Sequence, residues 1–275
     1  MTRLPPSQHP VRRINNAIRG MDLDHVRTAL FSTHMHVGVQ VCEASKDDWI
    51  KYVKSPSQAL ASRTMMWRND AIFIVELSST IHDEMTIAIN HAIVAATGTG
   101  EMHLQGHGSA YADRLAHLEP DASFGPTPIT GAVLPPQLSW GEFHTLKIEV
   151  GVSRGWDLLN AKAVEWATFP GVEYVLCVRL SKTVAVRQYK LFSVVRLLNG
   201  QGAIEGLAPD HVAPVAIVDG DQVLMNSRRL LGLPPGAPLP AGFADPNLSI
   251  ELLPLARRAW VANQRGANAN RAAPF

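Results

Sequence analysis

Residues 118–124 read LEPDASF and residues 145–150 read TLKIEV, and the predicted architecture depends on these two stretches. Each is a β-prone run of strand length that carries an acid, Asp121 in the first and Glu149 in the second. Burying an ionised carboxylate is costly unless the group is paired, hydrogen-bonded or bound to a metal. Two such acids on neighbouring strands therefore predict a divalent-cation centre.

The segments around these two stretches alternate between helical and strand patterns. Thr80 with Asp83 has the form of a capping box, and apolar residues at helical spacing continue from there to Gly98. Further segments predict strands at 102–108, 118–124 and 145–150, a helix at 156–167, and strands at 172–180 and 185–197. The order α, β, β, β, α, β with one further strand favours an α/β fold on a mixed central sheet.

The flanks of this middle part differ from it in composition. Residues 1–70 are predicted to be an N-terminal extension with a short helix at 22–30 and a strand at 36–42. Residues 71–197 form the predicted core, which begins with the apolar run 71–77. Residues 198–275 are predicted to be a Pro/Gly-rich C-terminal extension whose tail, from Ala262, is disordered.

Composition excludes several classes of protein. The chain has 275 residues, of which 46% are hydrophobic, and no run approaches the roughly 20 apolar residues that span a membrane. Its start lacks the apolar stretch of a signal peptide, so an intracellular protein, cytoplasmic or nuclear, is expected. Cys42 and Cys177 lie far apart without a CxxC partner, which favours reduced thiols over disulfides or a zinc knuckle.

The net charge of +1 hides two basic ends. The first 20 residues hold four arginines and no acid, and so do the last 21. Such ends can contact phosphates, or they can be solvated tails.

Taken in order, the motifs resemble the PD-(D/E)XK nuclease superfamily, and most closely its restriction-endonuclease-like branch. Over residues 71 to 195 the matching pieces are Pro120-Asp121, the strand 146–150 with Glu149, Lys162 with Trp166 one turn later, and the Gly-Val-Glu-Tyr run 171–174. The resemblance implies an αβββαβ restriction-endonuclease-like core. It also implies a metal-dependent endonuclease that hydrolyses phosphodiester bonds of nucleic acid, with DNA as the expected substrate.

In this interpretation Asp121 and Glu149 bind Mg²⁺ or Mn²⁺. Such an ion neutralises the phosphate oxygens and activates a water, and Mg²⁺ needs only one or two protein carboxylates. The family's lysine two residues after the acid is replaced here by Gly151. Lys162 on the following helix is the favoured substitute, and Lys147, which shares a strand face with Glu149, is the second candidate.

Further residues are expected around this centre. The resemblance implies a third metal ligand on the first core helix, Glu84, although acids are also favoured near a helix N-terminus by its dipole. Arg154, Arg187 and Lys190 are expected to hold the nucleic acid. Two-strand cleavage would be served by a homodimer, but the sequence leaves the oligomeric state open.

Alternatives of other classes stay open. Asp121 could initiate a turn after Pro120, and Glu149 could form a structural ion pair with Lys147 or Arg154. In that case the chain is a non-catalytic binding or scaffold protein that retains the nuclease fold, as Gly151 and the modest net charge also suggest. A weaker alternative is a metallohydrolase that uses His82 with Asp83.

The remaining histidines lack a third ligand at a recognisable zinc spacing and are expected to be structural or surface residues. They are the pair His34 and His36, the pair His103 and His107, and His144.

Overall fold

A computed structural model of the chain describes residues 9–31, 38–108, 118–196, 204–209 and 213–272. His34 and His36, expected to be structural or surface residues, lie outside these ranges. No helix in the described ranges has the length and apolar character needed to cross a membrane. The chain divides into two compact units, one made of residues 1–77 with 111–119 and the other of residues 78–110 with 120–275.

The first unit is a small antiparallel sheet with three helices. Its elements are α1 (Pro10–Arg19), α2 (Leu23–Leu30), β1 (Val39–Glu43), α3 (Lys46–Val53), β2 (Met65–Arg68) and β3 (Ala71–Ile74). The strands pair in the order β1-β3-β2. Ile14, Trp49 and Tyr52 are almost fully buried in its hydrophobic cluster.

The N-cap residues explain where two of these helices begin. Asp22 accepts hydrogen bonds from the backbone of Asp24 and His25, and Ser45 accepts one from Asp48 N–H. The predicted helix at 22–30 therefore agrees with α2. The run 71–77, which the sequence predicts to open the core, instead supplies β3 to this separate sheet.

The second unit contains the two acid-bearing stretches. Its elements are α4 (Thr80–Ala96), β4 (Leu104–Gly106), β5 (Ala122–Pro126), β6 (Leu146–Gly151), α5 (Trp156–Ala167), β7 (Tyr174–Leu180), β8 (Arg187–Arg196), β9 (Ile204–Pro209), β10 (Val215–Ala216), β11 (Gln222–Asn226), α6 (Ser227–Leu230), β12 (Asn247–Glu251) and α7 (Leu252–Ala272).

The main sheet of this unit has the strand order β10-β8-β7-β6-β5-β4, with β9 pairing along β8. β6 and β7 are parallel, and the other neighbours are antiparallel. The α/β class with a mixed sheet, predicted from the sequence, is therefore confirmed. β11 and β12 form a separate antiparallel pair.

Helices cover both faces of the main sheet. Ile148 and Val150 of β6 share a hydrophobic cluster with Ile89 of α4 and Ala256 of α7. Lys147 and Glu149 alternate with these residues and face the other way, toward α5. The whole of β6 is buried, so its acid lies between the sheet and α5.

Two local predictions need correction. Ser79, not Thr80, is the N-cap of α4, because its side chain accepts a hydrogen bond from the backbone N–H of His82. The tail predicted to be disordered from Ala262 is helical as far as Ala272 in α7. Ala256 and Ala259, earlier in α7, pack in the main core, and the helix continues from this anchored part into the tail.

Candidate functional site

The two acids predicted from the sequence come together where β5 begins and β6 ends. Ala122 lies opposite Ile148, and the residues just beyond this pair are Asp121 and Glu149. Asp121 continues the strand contact, because its N–H bonds to Ile148 O and its Oδ2 accepts from Val150 N–H at 2.7 Å. Neither acidic side chain is exposed to solvent.

Arg154 lies between the two carboxylates. Its Nη1 is 3.0 Å from Glu149 Oε2 and 3.7 Å from Asp121 Oδ2, and its side chain is fully buried. Arg154 belongs to the short connection between β6 and α5, which returns the chain over the end of the strand. A single guanidinium thus contacts both acids, which is the arrangement expected of a shared counter-ion.

Glu149 has two further partners, both on α5. Lys162 Nζ donates to Glu149 Oε2 at 2.8 Å, and the indole Nε1–H of Trp166 donates to Oε1 at 2.8 Å. Lys162 and Trp166 are four residues apart, so one face of α5 delivers both donors. Lys162, the favoured substitute for the family's lysine in the sequence analysis, thus lies beside Glu149.

Asp121 has a second cationic neighbour at the start of α4. His82 Nε2 is 3.3 Å from Asp121 Oδ1, and its Nδ1 is 3.1 Å from Asp83 Oδ1. Burial alone would lower the pKa of His82, but Asp121 and then Asp83 outweigh it and raise the pKa to about 9. His82 is therefore a cation at neutral pH.

The charge on Asp121 is likewise fixed by its neighbours. Burial would raise the pKa of this carboxyl, but Arg154, then His82 and Lys162, hold it well below its usual range. Asp121 therefore stays ionised across the physiological pH range, within a shell of cations.

A divalent cation does not fit the two acids as they are arranged. Three of their four oxygens accept hydrogen bonds, from Val150 N–H, from Trp166, and from Arg154 together with Lys162. Mg²⁺ requires carboxylate oxygens together with space for several waters. In the described ranges, no group of three or more His, Cys, Asp or Glu residues has a metal-binding arrangement. An ion would have to displace Arg154 and Lys162.

Gly151 packs closely against the residue that neutralises the acids. A Cβ on Gly151 would lie 3.1 Å from Arg154 Cβ and 3.3 Å from Leu159 Cδ1, tighter than ordinary contacts. Any side chain at this position would require Arg154 or Leu159 to shift by a few tenths of an ångström. The small size of Gly151 therefore favours the observed position of Arg154.

Lys147, the second candidate for a catalytic lysine, contacts neither acid. Its Nζ is 2.8 Å from His144 Nδ1 and lies 4.4 Å from the centre of the Trp166 ring. Burial lowers the pKa of Lys147 to about 7, against the opposing effect of Glu149. Burial and then Lys147 lower the pKa of His144 to about 2, so its imidazole is neutral.

The other predicted residues lie elsewhere. Glu84 faces α7, where Arg258 Nε is 3.7 Å from its Oε2, and it contacts neither Asp121 nor Glu149. Arg187 donates to the carbonyl oxygens of Ile217 and Val184, and Lys190 is buried over the rings of Trp156 and Phe192. Of the three residues expected to contact phosphate, Arg154 and Lys190 are therefore buried, and Arg187 is half-buried and bonded to backbone carbonyls.

Sequence reasoning missed two features of this region. His103 is hydrogen-bonded to Thr99, as expected of a structural residue. His107, in contrast, packs against the ring of His144 beside Lys147, and this cluster was not predicted. His82 reaches Asp121 from a helix that precedes it by a whole strand. One signal in the sequence could have indicated the histidine cluster: Lys147 is a second charged residue in an apolar strand and needs a polar partner.

Comparison of the chain with protein-family models, with curated proteins and with solved structures finds no match.

Proposed function

We propose that this chain is a non-catalytic binding or scaffold protein built on a restriction-endonuclease-like core. In it, Arg154 takes the place that a divalent cation has in metal-dependent nucleases. The element order from α4 to β7, with its acids after β4 and within β6, supports the core. The chain retains the family's acids but neutralises them from within.

The observation that carries the proposal is the position of the guanidinium. Arg154 Nη1 contacts both Glu149 and Asp121, and all three side chains are fully buried. A cation entering here would leave Arg154 buried without its carboxylates, and breaking such a buried pair costs about 3–5 kcal/mol.

Calorimetric titration with Mn²⁺ tests the proposal directly. We expect no saturable binding to the wild-type chain up to millimolar Mn²⁺. We also expect no cleavage of DNA or RNA above background with Mg²⁺ or Mn²⁺. Asp121→Asn removes one of the two acids, and Asp157→Asn, at an exposed acid on α5, is its matched control.

A metal-dependent nuclease remains the second candidate, because Lys162 Nζ is 2.8 Å from Glu149 and both acids share one cluster. It predicts the opposite result in the same experiment. Saturable Mn²⁺ binding with cleavage that Asp121→Asn abolishes and Asp157→Asn preserves would establish the nuclease and overturn the scaffold.

A further inference from the structure

Lys147 is a buried amino group whose hydrogen-bond partner is a histidine and not an acid. Its side chain is fully buried on β6, and its described contacts are His144 Nδ1 at 2.8 Å and the rings of Trp166 and Phe169. No acid in the described ranges forms an ion pair with it. The neighbouring acids are already matched by Arg154 and Lys162.

The contact with Lys147 links the charge of the amine to the tautomer of His144. When Lys147 is an ammonium group it only donates, so Nδ1 of His144 then accepts and the neutral ring carries its hydrogen on Nε2. That Nε2 is buried and has no hydrogen-bond partner. In this state the ring presents an unpaired N–H donor, and the positive charge of Lys147 lies on its other side.

A second imidazole faces the same space. The rings of His107 and His144 have their centres 4.7 Å apart, and Nε2 of His107 is also buried without a partner. His107 follows β4 at the sheet edge, and its N–H bonds to the carbonyl of Ser123, which lies opposite Lys147. His107 is half-buried while His144 is fully buried, so a ligand would approach from the His107 side.

We propose that His107 and His144, backed by Lys147, form an oxyanion-binding site that takes the non-bridging oxygens of a phosphoryl group. Such oxygens accept several hydrogen bonds at once, and their negative charge would lie near Lys147, which has no carboxylate partner in the described part of the chain. This site goes beyond the scaffold function and does not depend on it, since none of its three residues contacts Asp121 or Glu149. The phosphoryl group can be free phosphate or a nucleic-acid phosphodiester.

Thermal unfolding in inorganic phosphate, against chloride of equal ionic strength, tests the site. We expect a saturable rise in the unfolding temperature of the wild-type chain. His107→Ala should weaken the apparent phosphate affinity at least tenfold, and Lys147→Met should do the same. His91→Ala, at an exposed histidine on α4, is the matched control and should bind as wild type does.

Nitrogen NMR of the histidine rings provides a readout that a purely structural role would not move. Phosphate should shift the Nε2 signal of His144 and leave that of His91 unchanged. If Lys147→Met fails to fold, His107→Ala decides, because its side chain is half-buried and its loss is tolerable.

Fluorescence anisotropy with a short DNA duplex separates the two sources of the ligand. Duplex binding that His107→Ala weakens identifies a phosphodiester, whereas phosphate binding without duplex binding identifies a free phosphoryl compound. The site is overturned if the wild-type chain shows no saturable phosphate effect, or if His107→Ala retains it in full. The Mn²⁺ titration tests only the proposal about Asp121 and Glu149, and the phosphate experiments test only the histidine site. Either proposal can therefore be overturned without the other.

Discussion

At the scale of single residues, the second unit is organised around a buried charge balance. Asp121 and Glu149 are carboxylates without solvent, and the cations Arg154, Lys162 and His82 surround them. Burial makes each contact strong, but it also makes the loss of any one partner costly. Arg154 is the member that contacts both acids, so its removal should have the largest effect.

Replacing Arg154 with methionine tests this balance. Arg154→Met keeps an apolar side chain but leaves two buried carboxylates without their shared counter-ion. We expect the free energy of unfolding of the second unit to fall by about 3–5 kcal/mol in denaturant titrations. Adding Asp121→Asn to this variant should recover part of the loss.

Arg257→Met provides the control, because Arg257 forms only an exposed pair with Asp219 at 4.0 Å. Such surface pairs contribute about 0–1 kcal/mol at most. Equal effects of Arg154→Met and Arg257→Met would mean that the buried cluster contributes nothing beyond an ordinary surface pair.

At the level of secondary-structure elements, β6 has one apolar face and one charged face. Leu146, Ile148 and Val150 pack in the main core, while Lys147 and Glu149 point to the α5 side. A strand covered on both faces is usually apolar on both, so the charged residues mark the face with a specific role. The loop between β5 and β6 returns close beside the strand at Gly125.

Gly125→Ala tests that close approach. A Cβ at this position would lie 1.9 Å from the carbonyl oxygen of Phe143, which is backbone and cannot rotate away. We expect the unfolding midpoint to fall, with a loss of at least about 1–3 kcal/mol from overpacking. The control, Gly141→Ala, meets only Ser139 Oγ at 4.0 Å and should be close to neutral. Similar midpoints for both variants would contradict the close approach.

At the scale of the whole molecule, the chain holds two separate hydrophobic clusters, one in each compact unit. Ile14 of α1 belongs to the first cluster and Ile89 of α4 to the second, and both are fully buried. Each unit therefore has its own hydrophobic core, and local unfolding of each unit should depend mainly on that core.

Ile14→Ala tests whether the two cores are stabilised separately. Truncation of a buried isoleucine costs about 2–5 kcal/mol, and we expect this loss in the first unit. Hydrogen exchange should then accelerate in α1, α3 and β3 and remain slow in β6 and β7. Ile89→Ala should produce the reverse pattern. Equal acceleration of both units in either variant would show a single cooperative core.

Much of the second unit could be predicted from local sequence. The helix at 156–167 agrees with α5, and the acid-bearing strands follow in the predicted order, because apolar periodicity and turn residues act over a few residues. β11, β12 and α7 could not be predicted in this way. The first turns of α7 are held by packing of Ala256 and Ala259 against distant residues of the main core, and this contact is not visible in the local sequence.

The sequence was sufficient to predict that Asp121 and Glu149 are buried neighbours, because strand alternation and an apolar context fix burial locally. It also offered Arg154, Lys147 and Lys162 as possible partners of Glu149 without choosing among them. The choice depends on the three-dimensional fold, because Arg154, Lys162 and His82 come from three different segments that converge on the acids. Electrostatic pairing acts in space between folded elements, so the contact of His82 with Asp121 has no local signal in the chain.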